Sequence, residues 1–224
     1  MTILDPADGH LGRIDQEVDV IAGPILLPGH LTVPAAAAGI VIFAHGSGSS
    51  RHSPRNRFVA ETLNQAGLGT LLFDLLTPSE ELNRTHVFDI ELLAERLVRA
   101  ARWLLTQFET PRIPLGFFGA STGSAAALWS AAELGPDIRA VVSRGGRPDL
   151  AGARLSEVQA ATLLIVGSHD PQVIELNLAA SAQLRCEHRL EIIPGASHLF
   201  EEAGTLEMVA ELARDWFLGH FNEN

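Results

Sequence analysis

The chain has 224 residues, 46% of them apolar and only 19% charged, which suits a single domain with a sizeable core and excludes a disordered chain. Its formal net charge is −11, from 16 basic and 27 acidic residues with no Lys/Arg run, so no nucleic-acid partner is expected. The single cysteine, Cys186, excludes an intrachain disulfide and a cysteine-based zinc site, and reads as a helix-end or surface thiol.

Residues 1–16 are polar and acidic with no apolar leader-like run, and no stretch is long enough to span a membrane. A cytoplasmic protein with no membrane partner is expected. Residues 18–21 and 24–33 read as two short strands that pair as an opening hairpin. Residues 40–44, Ile-Val-Ile-Phe-Ala, form a continuous apolar run, the mark of a strand buried on both faces. It exits into a glycine-rich turn that begins His45-Gly-Ser-Gly. Residues 54–66 follow with helical spacing and stop at Gly67. Residues 70–73 are the next buried strand, and a loop opens at Thr77-Pro78. A long amphipathic helix over 88–108 turns Leu92, Leu93, Leu97, Ala100, Ala101, Leu104 and Leu105 inward.

Residues 115–118 are a short apolar run that turns through Gly119-Ala-Ser-Thr-Gly123 into an alanine-rich helix former. This is G-x-S-x-G in a strand–turn–helix setting, which puts Ser121 on a sharp turn with its hydroxyl at the top of a sheet. Strands follow at 138–142, 162–166 and 190–193, with helices at 171–183 and 205–221. Their exit segments carry Ser143-Arg-Gly-Gly-Arg-Pro148, Gly167-Ser-His-Asp170 and Pro194-Gly-Ala-Ser-His198. Alternating short strands and amphipathic helices over 1–224 predict one α/β domain, a mostly parallel central sheet flanked by helices with no large cap domain. Sites in such sheets gather beyond the carboxyl ends of the strands, where these exit loops fall.

A serine hydroxyl needs a base within hydrogen-bond reach, and the base needs a carboxylate to fix its tautomer. On this kind of sheet the order is Ser, then Asp or Glu, then His. Of the histidines after Asp170, His188 starts the last strand and His220 ends the last helix, whereas His198 sits in a strand-exit loop and is assigned as the base. Asp170 is the preferred acid. It also fits a helix N-cap before Pro171, and Asp149 is the rival one strand earlier. The oxyanion hole is assigned to the backbone N–H groups of Ser47 and Thr122. Arg51, Arg144 and Arg147 lie at strand exits. They either hold their glycine-rich loops or present a guanidinium to an anionic group on the substrate. The scattered histidines offer no zinc spacing, and no metal or organic cofactor is expected.

His45-Gly-Ser-Gly, Gly119-Ala-Ser-Thr-Gly123, Gly167-Ser-His-Asp170 and Gly195-Ala-Ser-His198 together resemble the α/β-hydrolase fold. The cap-free layout resembles its dienelactone hydrolase-like branch. Residues 43–56, Phe-Ala-His-Gly-Ser-Gly-Ser-Ser-Arg-His-Ser-Pro-Arg-Asn, and 143–149, Ser-Arg-Gly-Gly-Arg-Pro-Asp, look like the hydrolase domain sometimes fused to a phosphoribosyltransferase-type domain. The resemblance covers nearly the whole chain from about Val18 onward. Dienelactone hydrolases proper carry cysteine as nucleophile, and this chain has Ser121 in that place. The expected function is a serine hydrolase acting on carboxylic esters of small acyl groups. A lactonase, thioesterase or acyltransferase would use the same residues. A non-catalytic binding module on the same fold would leave the Ser-Asp-His set without a purpose.

Overall fold

Runs of aliphatic and aromatic residues too short for a helix, each bounded by turn residues, form the centre of the molecule. In the computed structural model, which describes residues 13–108 and 113–222, they make one eight-stranded sheet. The reading of the N-terminus as lacking a leader falls mostly on residues 1–12, outside the described residues. Strands β1 (Ile14–Ala22) and β2 (Ile25–Val33) form the opening antiparallel hairpin, and β2 continues antiparallel onto β4 (Gly69–Phe73). From there the sheet is parallel: β4, then β3 (Ile40–Ala44), β5 (Leu115–Ala120), β6 (Ile138–Arg144), β7 (Ala161–Gly167) and β8 (His188–Ile193). Every residue of β3, β4, β5 and β7 is buried, as strands covered on both faces require.

The covering helices divide by face. Helices α1 (Pro54–Gln65) and α7 (Thr205–Phe221) pack together on one side, where Val59, Leu63, Phe217 and Phe221 meet Phe43, Phe118 and Val142. On the other side lie α4 (Ile90–Leu105), α5 (Thr122–Leu134) and α6 (Pro171–Ser181), with an irregular 3₁₀ segment over Pro148–Glu157 between α5 and α6. Leu93, Leu97, Ala100, Ala101 and Leu104 of the expected α4 stripe are buried, while Leu92 and Leu105 are only half covered. Two four-residue helices, α2 (Pro78–Glu81) and α3 (Arg84–Val87), occupy what reads in the sequence as a loop. Thr77 and Glu80 close a reciprocal cap on α2, a Thr-x-x-Glu signal present in the sequence.

This order determines where a ligand can enter. The chain leaves β3 for β4 on one side through α1, then crosses back to β5 on the other side through α4. The strand order therefore reverses between β3 and β5, and the crevice of an open α/β sheet lies outside the carboxyl ends of two such strands. The 45–50 turn after β3 and Ser121 after β5 both stand there.

Candidate active site

Ser121 joins β5 to α5 at φ +52° and ψ −121°, a conformation few residues other than glycine adopt. The turn is tight enough that a Cβ on Gly119 would come within 2.8 Å of the Gly123 carbonyl, and a Cβ on Gly123 within 2.2 Å of the Ala44 carbonyl. Both glycines of the motif are thus sterically required. Ser121 stands at the N-cap of α5, yet its side chain makes no capping bond, so the hydroxyl is not committed to the helix. The first N–H groups of α5, that of Thr122 among them, have no preceding turn to donate to.

The His198 ring Nδ1 lies 2.7 Å from Asp170 Oδ2. An ionised carboxylate accepts only, so Nδ1 carries the proton and Nε2 keeps its lone pair. Asp170 holds the N-cap position of α6 by backbone, but its carboxylate makes no cap bond and goes to the imidazole instead. Asp149, the rival acid, is gripped by Arg147 through two bonds of 2.8 Å. The His198 side chain is 40% exposed, open to a ligand, while the Asp170 side chain is mostly covered. The loop carrying His198 is braced where the Ser197 N–H donates to Glu202 (3.0 Å) and where Phe200 is buried.

One turn lies between the serine and the histidine. The Ser121 N–H donates to the Arg144 carbonyl (3.2 Å), and the Arg147 N–H donates to the Ser121 carbonyl (3.1 Å). A Cβ on Gly145, between those two residues, would lie 3.0 Å from the His198 carbonyl and 3.7 Å from its ring. On the other side of the serine, a Cβ on Gly46 would lie 3.0 Å from Ser121 Cβ. The Ser47 N–H, expected to be free for an oxyanion, donates to the Thr122 hydroxyl at 2.9 Å. The two residues expected to supply the oxyanion donors are therefore bonded to each other beside Ser121.

His45, which the sequence reading used only as part of a turn motif, supports that turn. Its Nε2 accepts the Leu75 N–H (3.0 Å), so its Nδ1 is the donor to the Gly46 carbonyl (3.1 Å). Burial pushes its pKa down and keeps the ring neutral. The signal was a histidine at the end of a wholly apolar strand.

Two of the three strand-exit arginines have acid partners within the chain. Arg51 pairs with Asp74 through both side chain and backbone N–H, and Arg147 pairs with Asp149. Arg144 belongs to β6 and not to its exit loop. It is only 6% exposed, with its guanidinium 3.3 Å from Asn56 Oδ1 and over the Phe200 ring. Burial, with Arg55 nearby, pushes its pKa down to about 10, which leaves it charged at neutral pH. Cys186 is a half-buried thiol near Thr162. Among the described residues no cluster of His, Cys, Asp and Glu is arranged to hold a metal ion, and no helix is long and apolar enough to cross a membrane.

An eight-stranded, mostly parallel sheet with a serine at the β5–α5 turn and an Asp-paired histidine after the last strand defines an α/β hydrolase. No protein-family model matches the sequence. A solved dienelactone hydrolase from Anabaena variabilis superposes with a TM-score of 0.90 and is 56% identical, covering 93% of this chain and 98% of that one. This chain belongs to the dienelactone hydrolase-like α/β hydrolases. Est1E from Butyrivibrio proteoclasticus shares the fold at a TM-score of 0.77 and 17% identity, over 92% of this chain and 99% of that one. A Mycobacterium tuberculosis protein named as a phosphoribosyl transferase is 62% identical over 206 residues, 92% of this chain and 46% of that protein. The chain thus spans about half the length of the curated relatives it matches.

Proposed function

We propose that this α/β hydrolase is a serine hydrolase that cleaves carboxylic esters of small acyl groups. The observation that carries the reading is the 2.7 Å bond between His198 Nδ1 and Asp170, across the Gly145 turn from a serine at φ +52°. Ser121 Oγ attacks the ester carbonyl while His198 Nε2 takes its proton. The imidazolium is stabilised by Asp170 and then gives that proton to the leaving alcohol. The N–H groups of Ser47 and Thr122 hold the tetrahedral oxyanion, and the Thr122 hydroxyl, which accepts the Ser47 N–H in the resting enzyme, yields that donor to it. Water, activated by His198, resolves the acyl-enzyme. No step calls for a metal or an organic cofactor.

A fluorophosphonate probe should label Ser121 and no other residue. Ser121→Ala should fold normally, lose the label, and lose p-nitrophenyl ester turnover by several orders of magnitude. Retention of more than about a tenth of wild-type turnover would refute the role of Ser121.

A further inference from the structure

The 45–50 turn borders a second feature that the mechanism leaves unused. A cavity of about 370 Å³ lies against it, near the lower end of the roughly 300–1,000 Å³ typical of small-molecule sites. Its walls are Leu75, Leu76, Val87 and Leu93, from the β4 exit, α3 and α4. Three of these are almost fully buried. Gly46 and Ser47 also line it; a Cβ on Gly46 would lie 3.0 Å from Ser121 Cβ, and the Ser47 N–H donates to the Thr122 hydroxyl, so the cavity and the serine share the 45–50 turn. His45 lines it as a neutral imidazole, its Nε2 already engaged as acceptor.

Charge at this cavity has one sign. Among its described lining residues Glu81, exposed at the end of α2, alone carries a charge. None of the three strand-exit arginines lines it. Arg51 turns instead into a separate polar groove with Asp15, Glu17 and His30. Arg144 is buried between Asn56 and Phe200, among the residues that α1 and α7 cover.

We propose that this cavity is the specificity pocket of the enzyme: it takes a compact apolar group of the substrate, and Glu81 at its edge selects neutral esters over those bearing an anionic group. The proposal rests on Ser121 as nucleophile, because the cavity gains its meaning from the 45–50 turn it shares with that serine. An anionic group placed in it would lose water, meet leucine and valine side chains, and face a carboxylate with no compensating cation.

The test compares ethyl butyrate with monoethyl succinate, followed by proton release, close in size and differing by a carboxylate in place of a methyl group; the alkoxide leaving group is too poor for the succinate carboxylate to cleave its own ester. Wild-type kcat/KM should favour the butyrate by about tenfold or more. Glu81→Gln should shrink that ratio by about threefold, the effect of one exposed charge at close range. Glu211→Gln, which changes net charge equally from the outer surface of α7, should leave the ratio alone. Val87→Phe should reduce the preference for butyrate over acetate by narrowing the cavity. Equal or better turnover of the succinate, or an equal response to the two glutamate variants, overturns the proposal. The same pair of ligands titrated onto Ser121→Ala reads binding without chemistry. If that contrast persists while the wild type hydrolyses nothing, the hydrolase reading fails and the pocket stands. If hydrolysis proceeds with no contrast, the pocket fails alone.

Discussion

Asp170 is recruited away from the role its position offers. Asp before Pro at the start of α6 is good capping chemistry, and the carboxylate forgoes it for the His198 ring. Asp170→Asn should leave the imidazole in the wrong tautomer and lower kcat on the order of 10⁴-fold. Asp149→Asn only frees Arg147 and should cost far less. The opposite ranking in a steady-state assay would move the acid to the preceding strand. His45 gives a second measurable consequence. Burial is the main cause of its lowered pKa and outweighs the Gly46 carbonyl, Asp74 and Glu81, which act the other way. A histidine held neutral contributes stability that is complete above its unfolded value near 6.5 and is lost as pH falls below it, by up to about 1.4 kcal/mol per pH unit. His30 has a raised pKa, where burial is overcome by hydrogen bonds to Asp15 and Glu17, so its effect falls above that value and not below. Urea midpoints should therefore drop as pH falls below about 6.5, and His45→Asn should flatten that slope. An unchanged slope would mean that His45 does not set the pH dependence of stability there.

The site is assembled by strand exits, and their lengths decide what points where. In the sequence, the apolar run of β6 stops at Val142, and Ser143 and Arg144 read as loop. In the structure the strand continues through both. Side chains alternate along a strand, so Val142 and Arg144 share the face covered by α1 and α7, and Arg144 lies against Phe200 and Asn56. A polar residue at the end of an apolar run gives no periodic signal, which is why the guanidinium's direction was not legible. The central strands were legible because burial on both faces demands an unbroken apolar run, and β3 matches at both ends. Ser121 and Asp170 stood out as candidates because each follows a run of that kind at a turn, whereas β8 before His198 is half exposed and His198 stood out by its place in a strand-exit loop. The Ser47–Thr122 bond and the Arg51–Asp74 pair were not legible, since each joins residues far apart in the chain. The turn between the serine and the histidine can be tested directly. Gly145 has φ +51° and its missing Cβ faces the His198 carbonyl. Gly145→Ala should keep the far-UV spectrum but displace the histidine loop, and a shift of even 1 Å can cost about 10²-fold in kcat. Wild-type kcat in that variant would show that the loop is not seated on this turn.

At the scale of the whole molecule, the serine and the histidine come from strands of unequal support. Ser121 leaves β5, which has β3 on one side and β6 on the other, every residue buried. His198 leaves β8, the outermost strand of the parallel side, which among the described residues bonds only to β7 and is buried fully only at Ile193. Opening events in a folded protein begin where few apolar contacts and many exposed hydrogen bonds coincide, and β8 meets both conditions. On the proposed mechanism, a molecule that has shed β8 keeps its nucleophile and most of its sheet, but has no base. On that mechanism such a state turns over nothing. Under rising urea, ester hydrolysis should therefore decline before circular dichroism changes, and the amides of β8 should exchange with deuterium well ahead of those of β5. Coincident curves would mean that the edge strand unfolds only with the rest. The margin that governs working lifetime is then the free energy of opening one strand, and fastening that edge should extend activity with little effect on the global melting point.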